Sequence, residues 1–298
     1  MRKKCPCRHS QYLYHASAYG LMGDFQRPSQ QNVPMQGSVL LPANGGLVSQ
    51  RLPKFKLDGL ISFDEAYVEA GGSYDECHDV ETSYALSVIV GLNIADMLTA
   101  DRVVARMAVY SPIGDHGGEH TFDITGSYFE NLKIAGHEIN LKLATAEFND
   151  LSSYSKFKEA YKTEKADKWL LFHKLANLET EELKKLEDTY HALYGMSGMI
   201  KTWKTDTTET TRDRYWCSAA SDFDLSKHTG QNSELKGHGA VICIPKFGVI
   251  RLAEMLITKD TRSLTMFRVD MCSTGHGTTT GGTTTGGGGT GFPIAPPS

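Results

Sequence analysis

VETSYALSVIV, residues Val80 to Val90, decides the fold class. Val80, Tyr84, Leu86, Val88 and Val90 alternate with Glu81, Ser83, Ala85, Ser87 and Ile89. A period of two is the signature of a strand with one face in a core. The same reading extends downstream. Val103, Met107 and Val109 share a parity and oppose Arg102 and Arg106. Phe122, Ile124 and Tyr128 form a third strand, Leu132 and Ile134 begin a fourth, and Gly136 turns it. Ile139, Leu141 and Leu143 alternate with Glu138, Asn140 and Lys142 as a fifth. Ile94 to Leu98 could form one helical turn between the first two. Short strands separated by glycine and polar turns argue for a sandwich or barrel.

Working outward, Asp58 to Ala70 reads as a strand or two that end at Gly71-Gly72. Beyond the strands the period changes. Tyr154 to Leu175 and Glu181 to Tyr194 are rich in Lys, Glu, Leu and Ala. Leu183, Leu186, Tyr190, Leu193 and Tyr194 recur at helical spacing, so these segments predict a two-helix hairpin inserted at 152–195. Gly195 supplies its stop. Strands resume over Lys201 to Ala219, Ala240 to Ile244, Val249 to Ile257 and Leu264 to Met271, with a hairpin turn at Lys259 to Arg262. The predicted architecture is mainly β: an antiparallel β-sandwich or barrel-like domain over 56–272, carrying the helical insert. Residues 1–55 read as a disordered or loosely structured lead, apart from an extended piece near Val39 to Leu41. Residues 273–298, where TTTGG is repeated, read as a flexible Thr/Gly/Pro-rich tail with little to bury.

The chain has 298 residues, 40% hydrophobic and 22% charged, which is ordinary for a globular protein and ample for a core. Its formal charge of −4 gives no basic footprint for nucleic acid. No apolar run reaches the length of a membrane span. The N-terminus begins with basic residues, but Cys5 to Asp24 offers no apolar core of a signal peptide. The six cysteines permit disulfides without requiring them, and Cys243 and Cys272 sit in apolar stretches that suit buried thiols.

Two stretches carry a family resemblance. One is VETSYALSVIVGLNIADMLTADRVVARMAVYS, from Val80, followed by GSYFENLKIAGHEI. The other is GHGAVICIPKFGVIRLAEMLITKDTRSLTMFRVDMCS, from Gly237, followed by the Gly/Thr repeat. Together they resemble the bacterial choice-of-anchor P family. The resemblance implies a β-rich, exported surface domain, and it brings no site residues with it.

The sharpest chemical motif is His116-Gly117-Gly118-Glu119-His120, which fits the H-x-x-E-H zinc-hydrolase pattern. That chemistry places both histidines on one helical face with the glutamate beside a zinc-bound water. Two central glycines and the preceding Pro112 and Gly114 favour a polar loop instead. Cys77-His78, with Glu76 and Asp79, and Cys5-Pro6-Cys7 with His9 contain metal-ligand types without a paired knuckle. Trp203 and Trp216 are the candidate carbohydrate-binding side chains, and the opposite parity of Tyr215 and Trp216 turns one of that pair outward. No cofactor is expected. The leading expectation is a non-enzymatic structural or adhesive module at the cell surface or outside the cell, whose partners are itself or other surface molecules. A carbohydrate-binding module and a metal-dependent hydrolase are the alternatives.

Overall fold

The computed structural model describes residues 12–25, 31–57, 59–113, 118–162, 171, 178–190, 214–220, 223–229, 234–271 and 277–290. In chain order the strands are β1 (Tyr12–Phe25), β2 (Gln31–Leu40), β3 (Gly46–Leu52), β4 (Phe55–Leu57), β5 (Ile61–Phe63), β6 (Glu65–Asp75), β7 (Val80–Ile94), β8 (Leu98–Pro112) and β9 (Thr121–Asp123). They continue as β10 (Tyr128–Glu130), β11 (Lys133–Ile134), β12 (His137–Glu138), β13 (Arg214–Ser218), β14 (Lys236–His238), β15 (Val241–Ile244), β16 (Gly248–Thr258), β17 (Thr261–Met271) and β18 (Gly277–Thr290). The helices are α1 (Thr145–Asp150), α2 (Tyr154–Lys162), α3 (Thr180–Thr189) and α4 (Ser226–Thr229).

The chain is mainly β, as the alternation predicts, and its two antiparallel sheets stack as an open sandwich. The first sheet runs β14-β15-β16-β17-β18-β1-β2, with β13 also paired to β16. The second is built on β7 and β8, which pair along almost their whole length. β6 joins β7 on one side and carries β3. β9, β10 and β11 join β8 on the other. Neither sheet closes into a barrel.

Several expectations are corrected. The last Thr/Gly stretch is not a tail up to Thr290. Gly277–Thr290 is a full strand, bonded to β17 on one side and to β1 on the other. The reason is steric. Phe267 of β17 lies so close that a Cβ on its partner Gly281 would sit 2.2 Å from the ring. The ring fills the space that a side chain on β18 would need, so glycine here is packed rather than free. Residues 291–298 lie outside the described residues. The supposed lead is likewise structured, since β1, β2 and β3 occupy most of residues 12–52. Gly71-Gly72 does not end a strand but lies inside β6: the Tyr84 ring covers Gly71 and the Tyr14 ring covers Gly72. The helical turn at Ile94 to Leu98 is a tight β7–β8 turn with Ala95 and Asp96 at positive φ. The fifth strand shrinks to His137–Glu138, and Ile139 to Ala144 run without ladder partners.

The helical insert survives in part. α2 and α3 fall within it, and Leu183, Leu186 and Tyr190 are buried as the helical spacing predicts. Leu193 and Tyr194, and the expected strand before Arg214, lie outside the described residues. α2 docks on β13 through Phe157, whose ring is 5.1 Å from that of Tyr215, with Tyr154 and Tyr161 alongside.

β7 shows how the two layers meet. Its buried face is Glu81, Ser83, Ala85, Ser87 and Ile89, whereas Tyr84, Leu86, Val88 and Val90 lie half-buried on the outside. The alternation gives the strand, but side-chain bulk does not give the inward face. The sheets approach closely here. Ser87 Oγ donates across the gap to the Tyr19 carbonyl of β1 at 3.0 Å. Ala16, Ala18, Ala70 and Ala85 cluster in the same gap. Small residues are what a close approach admits, so the bulky row faces out.

Two substitutions in β18 are expected to move stability in opposite directions. Gly281→Val forces the Phe267 ring aside, and overpacking of this kind costs about 1–3 kcal/mol. Thr284 is fully buried and its hydroxyl has no hydrogen-bond partner. Thr284→Val removes that unpaired group at equal size and is expected to raise stability by about 1 kcal/mol. Urea denaturation midpoints at a constant m-value check both.

Candidate functional site

The H-x-x-E-H motif does not build its site among the described residues. His116 lies outside them. Gly118 to His120 are neither helix nor strand, so the helical face that the chemistry needs is absent there. Glu119 caps α2 instead: the Ser155 N–H donates to Oε1 at 2.8 Å and to Oε2 at 3.1 Å. A carboxylate at a helix N-terminus satisfies otherwise unpaired N–H groups and meets the positive end of the dipole. Burial pushes the Glu119 pKa up, but the bonds from Ser155 and Ser153 and the Arg262 charge more than offset it and hold it low.

His120 turns to the sandwich interior. Ser111 Oγ lies 2.7 Å from both His120 Nδ1 and Tyr12 OH. Glu81, the cross-strand partner of Ser111, accepts from Tyr14 OH. This polar chain ties β1 of the first sheet to β7 and β8 of the second. Burial pushes both Tyr12 and Glu81 up in pKa. A serine beside a histidine is also the start of a nucleophilic pair. Here Ser111 is 1% exposed and its oxygen is shared with a tyrosine, which describes a buried tie. Arg262 lies behind His120, over the Phe122 ring at 5.8 Å, with one nitrogen donating to the Lys259 carbonyl at 2.9 Å. Burial, then the Arg262 charge, depresses the His120 pKa.

The other expected site residues are scattered. Trp203 lies outside the described residues. Trp216 is half-buried, packs against the core and has Arg251 over its ring at 5.8 Å. Tyr215 is the inward member of the pair. Cys77 is exposed at the β6–β7 turn, where Asp75 binds its N–H and the neighbouring His78 ring. Cys217 and Cys243 are buried, while Cys5, Cys7 and Cys272 lie outside the described residues. Among the described residues no group of three His, Cys, Asp or Glu could hold a metal ion, and no helix is long and apolar enough to cross a membrane.

A different surface emerges on the outside of the second sheet, and motif reading missed it. Register places Glu65, Val90 and Arg102 side by side across β6, β7 and β8. The next row is Tyr67, Val88 and Val104, and the next is Glu69, Leu86 and Arg106. The block therefore has an acidic strand, an apolar strand and a basic strand. Flanking ion pairs hold its edges: Arg51 with Glu65, Arg102 with Glu130 at 3.2 Å, and Arg106 with Asp123 at 3.3 Å. Glu69 accepts from Tyr67 and, at 2.8 Å, from Tyr84. Burial and the Glu69 carboxylate push the Tyr84 phenol up to about 12. Exposed Tyr110 and Tyr128 border the block. Its signal in sequence was the same alternation that revealed β7, read for the outer face.

A family model described as a domain of unknown function, DUF8256, matches residues 12–258. The chain belongs to the DUF8256 family. The DUF8256 match runs from the first residue of β1 to the last of β16, so it contains the outer block and the Tyr12–Ser111–His120 tie. β17 and β18, which complete the first sheet, follow it. No curated protein and no solved structure matches the chain.

The buried tie makes stability depend on pH. The folded chain holds His120 below its unfolded pKa of about 6.5. As pH falls through that value the unfolded chain takes up a proton that the folded chain refuses, so stability declines until the folded pKa is passed. His120→Gln is expected to flatten this decline between about pH 7 and pH 5. Urea midpoints of both proteins across that range measure it.

Proposed function

We propose that this DUF8256 domain is a non-enzymatic structural or adhesive surface module, and that the outer block of the second sheet is its contact face. One observation carries the reading: Leu86, Val88 and Val90 lie on the outer face of a long strand, opposite inward Ser83, Ala85, Ser87 and Ile89. An apolar centre with a charged and aromatic rim is the anatomy of a protein contact. Contiguous apolar surface on a folded domain marks a place of interaction. The choice-of-anchor P resemblance supports the same reading, since it implies a surface domain. Two of the residues that motif reading singled out make structural bonds: Glu119 caps α2 and His120 joins the buried tie.

The test uses beads coated with the purified chain and scored for adhesion to each other and to intact cells of the native host. Val88→Lys with Leu86→Lys is expected to lower adhesion at least tenfold, with a melting temperature within a few degrees of wild type. Equal adhesion by the variant, or none by the wild type, overturns the reading.

A further inference from the structure

We infer that the partner of this contact face is a second copy of the chain, docked face to face about a two-fold axis running along β7. The inference rests on the contact-face reading and adds its occupant. Charge selects the geometry. β6 presents Glu65 and Glu69, β8 presents Arg102 and Arg106, and β7 between them presents Leu86, Val88 and Val90. A two-fold axis along β7 exchanges β6 with β8 and keeps each row in place. It sets Glu65 opposite Arg102 of the second copy and Glu69 opposite Arg106, and it repeats both pairs by symmetry. Val88 then meets its own copy, with Tyr67 beside it over the Val104 position of β8. The other two-fold axis in the plane, running across the strands, sets Glu65 opposite Glu69 and Arg102 opposite Arg106. That arrangement brings like charges together, which specific interfaces avoid. The face is thus self-complementary in one orientation and self-repelling in the other, as an isologous contact requires.

The spacing also suits the contact. Strands lie about 4.8 Å apart and packed sheets about 10 Å apart, a gap that Glu and Arg side chains can span from both sides. Glu65, Arg102 and Arg106 keep their in-chain ion-pair partners Arg51, Glu130 and Asp123, and Glu69 keeps its two tyrosine donors, so docking does not desolvate bare charges. Leu86, Val88 and Val90, which are only half-buried, supply the apolar contact along the axis.

Sedimentation velocity on the full chain tests this through a charge exchange. The wild type is expected to dimerise, with a dissociation constant of roughly micromolar order. Arg102→Glu with Arg106→Glu makes both flanking strands acidic, and Glu65→Arg with Glu69→Arg makes both basic. Each is expected to be monomeric alone, and an equimolar mixture is expected to restore the dimer, because every contact then pairs opposite signs. Replacing Glu69 also removes the acceptor for Tyr67 and Tyr84, so the milder pair Arg102→Glu and Glu65→Arg repeats the exchange if the double variant does not fold. A wild type that stays monomeric, reversed variants that dimerise like it, or a mixture that stays monomeric each overturn the inference. A monomeric wild type whose adhesion is still lost in the Leu86 and Val88 variant removes self-pairing while leaving the contact-face reading intact.

Discussion

Phe267 lies against Gly281 so closely that no side chain fits between them. On that contact depends the continuity of the first sheet. β18 bonds to β17 through one edge and to β1 through the other, so without it β1 and β2 would form a hairpin separate from the β13–β17 block. A two-stranded hairpin is marginal by itself in water. The strand that completes the sheet thus has the sequence with the least to bury. Its energy comes from two full backbone ladders and from neighbours' side chains packed over its glycines, Phe267 over Gly281 and Met266 and Val103 over Gly282.

The same economy of side chains sets the distance between the layers. Alanines and serines from β1, β6 and β7 meet in the gap, and Ser87 bonds directly to the opposite backbone. Where the layers are this close, polar side chains inside must find partners or cost free energy. Tyr14 with Glu81, and Tyr12 with Ser111 and His120, are those partners. At the far side of the first sheet, where β16 changes neighbours from β15 to β13, Ala253 takes a positive φ at the change. Arg251 and Glu254, which straddle it, form an ion pair at 3.5 Å, and Glu254 also holds Arg268 at 2.7 Å. Charge buried in this paired form keeps the change of neighbours in register.

Much of the fold was legible in the sequence, and the failures share a cause. β7, β8 and the helix face of Leu183, Leu186 and Tyr190 follow directly from period, and β16 and β17 from apolar runs joined by a hairpin turn. β1 and β18 did not, because patterning detects strands by contrast between apolar and polar faces: β18 is only Gly and Thr, and β1 buries Ala16 and Ala18 while Leu13 stays exposed. Composition that would leave a chain disordered alone can be ordered by neighbours that supply the bulk. Gly71-Gly72 failed for the same reason: two tyrosine rings, one from each side, stand where the turn was expected. The candidate site was legible only in part. Residue types drew attention to His116, Glu119 and His120, whereas the outer block consists of common residues whose meaning lies in register. Glu65, Val90 and Arg102 are far apart in sequence and become one row only after three strands align.

Register therefore links stability to function in this domain. Close packing demands small inward residues at Ser83, Ala85 and Ser87 of β7, and alternation sends the bulkier Tyr84, Leu86 and Val88 outward there. Outward Leu86 and Val88 are not an accident that surface selection would erase, since a one-residue slip would put them where Ala85 and Ser87 meet the first sheet. The strand cannot hide that row without breaking the layer contact made by Ser87. What remains open to variation is the charge on either side. Acids on β6 and arginines on β8 convert an unavoidable apolar stripe into a face with a preferred orientation, so a packing constraint becomes the basis of recognition.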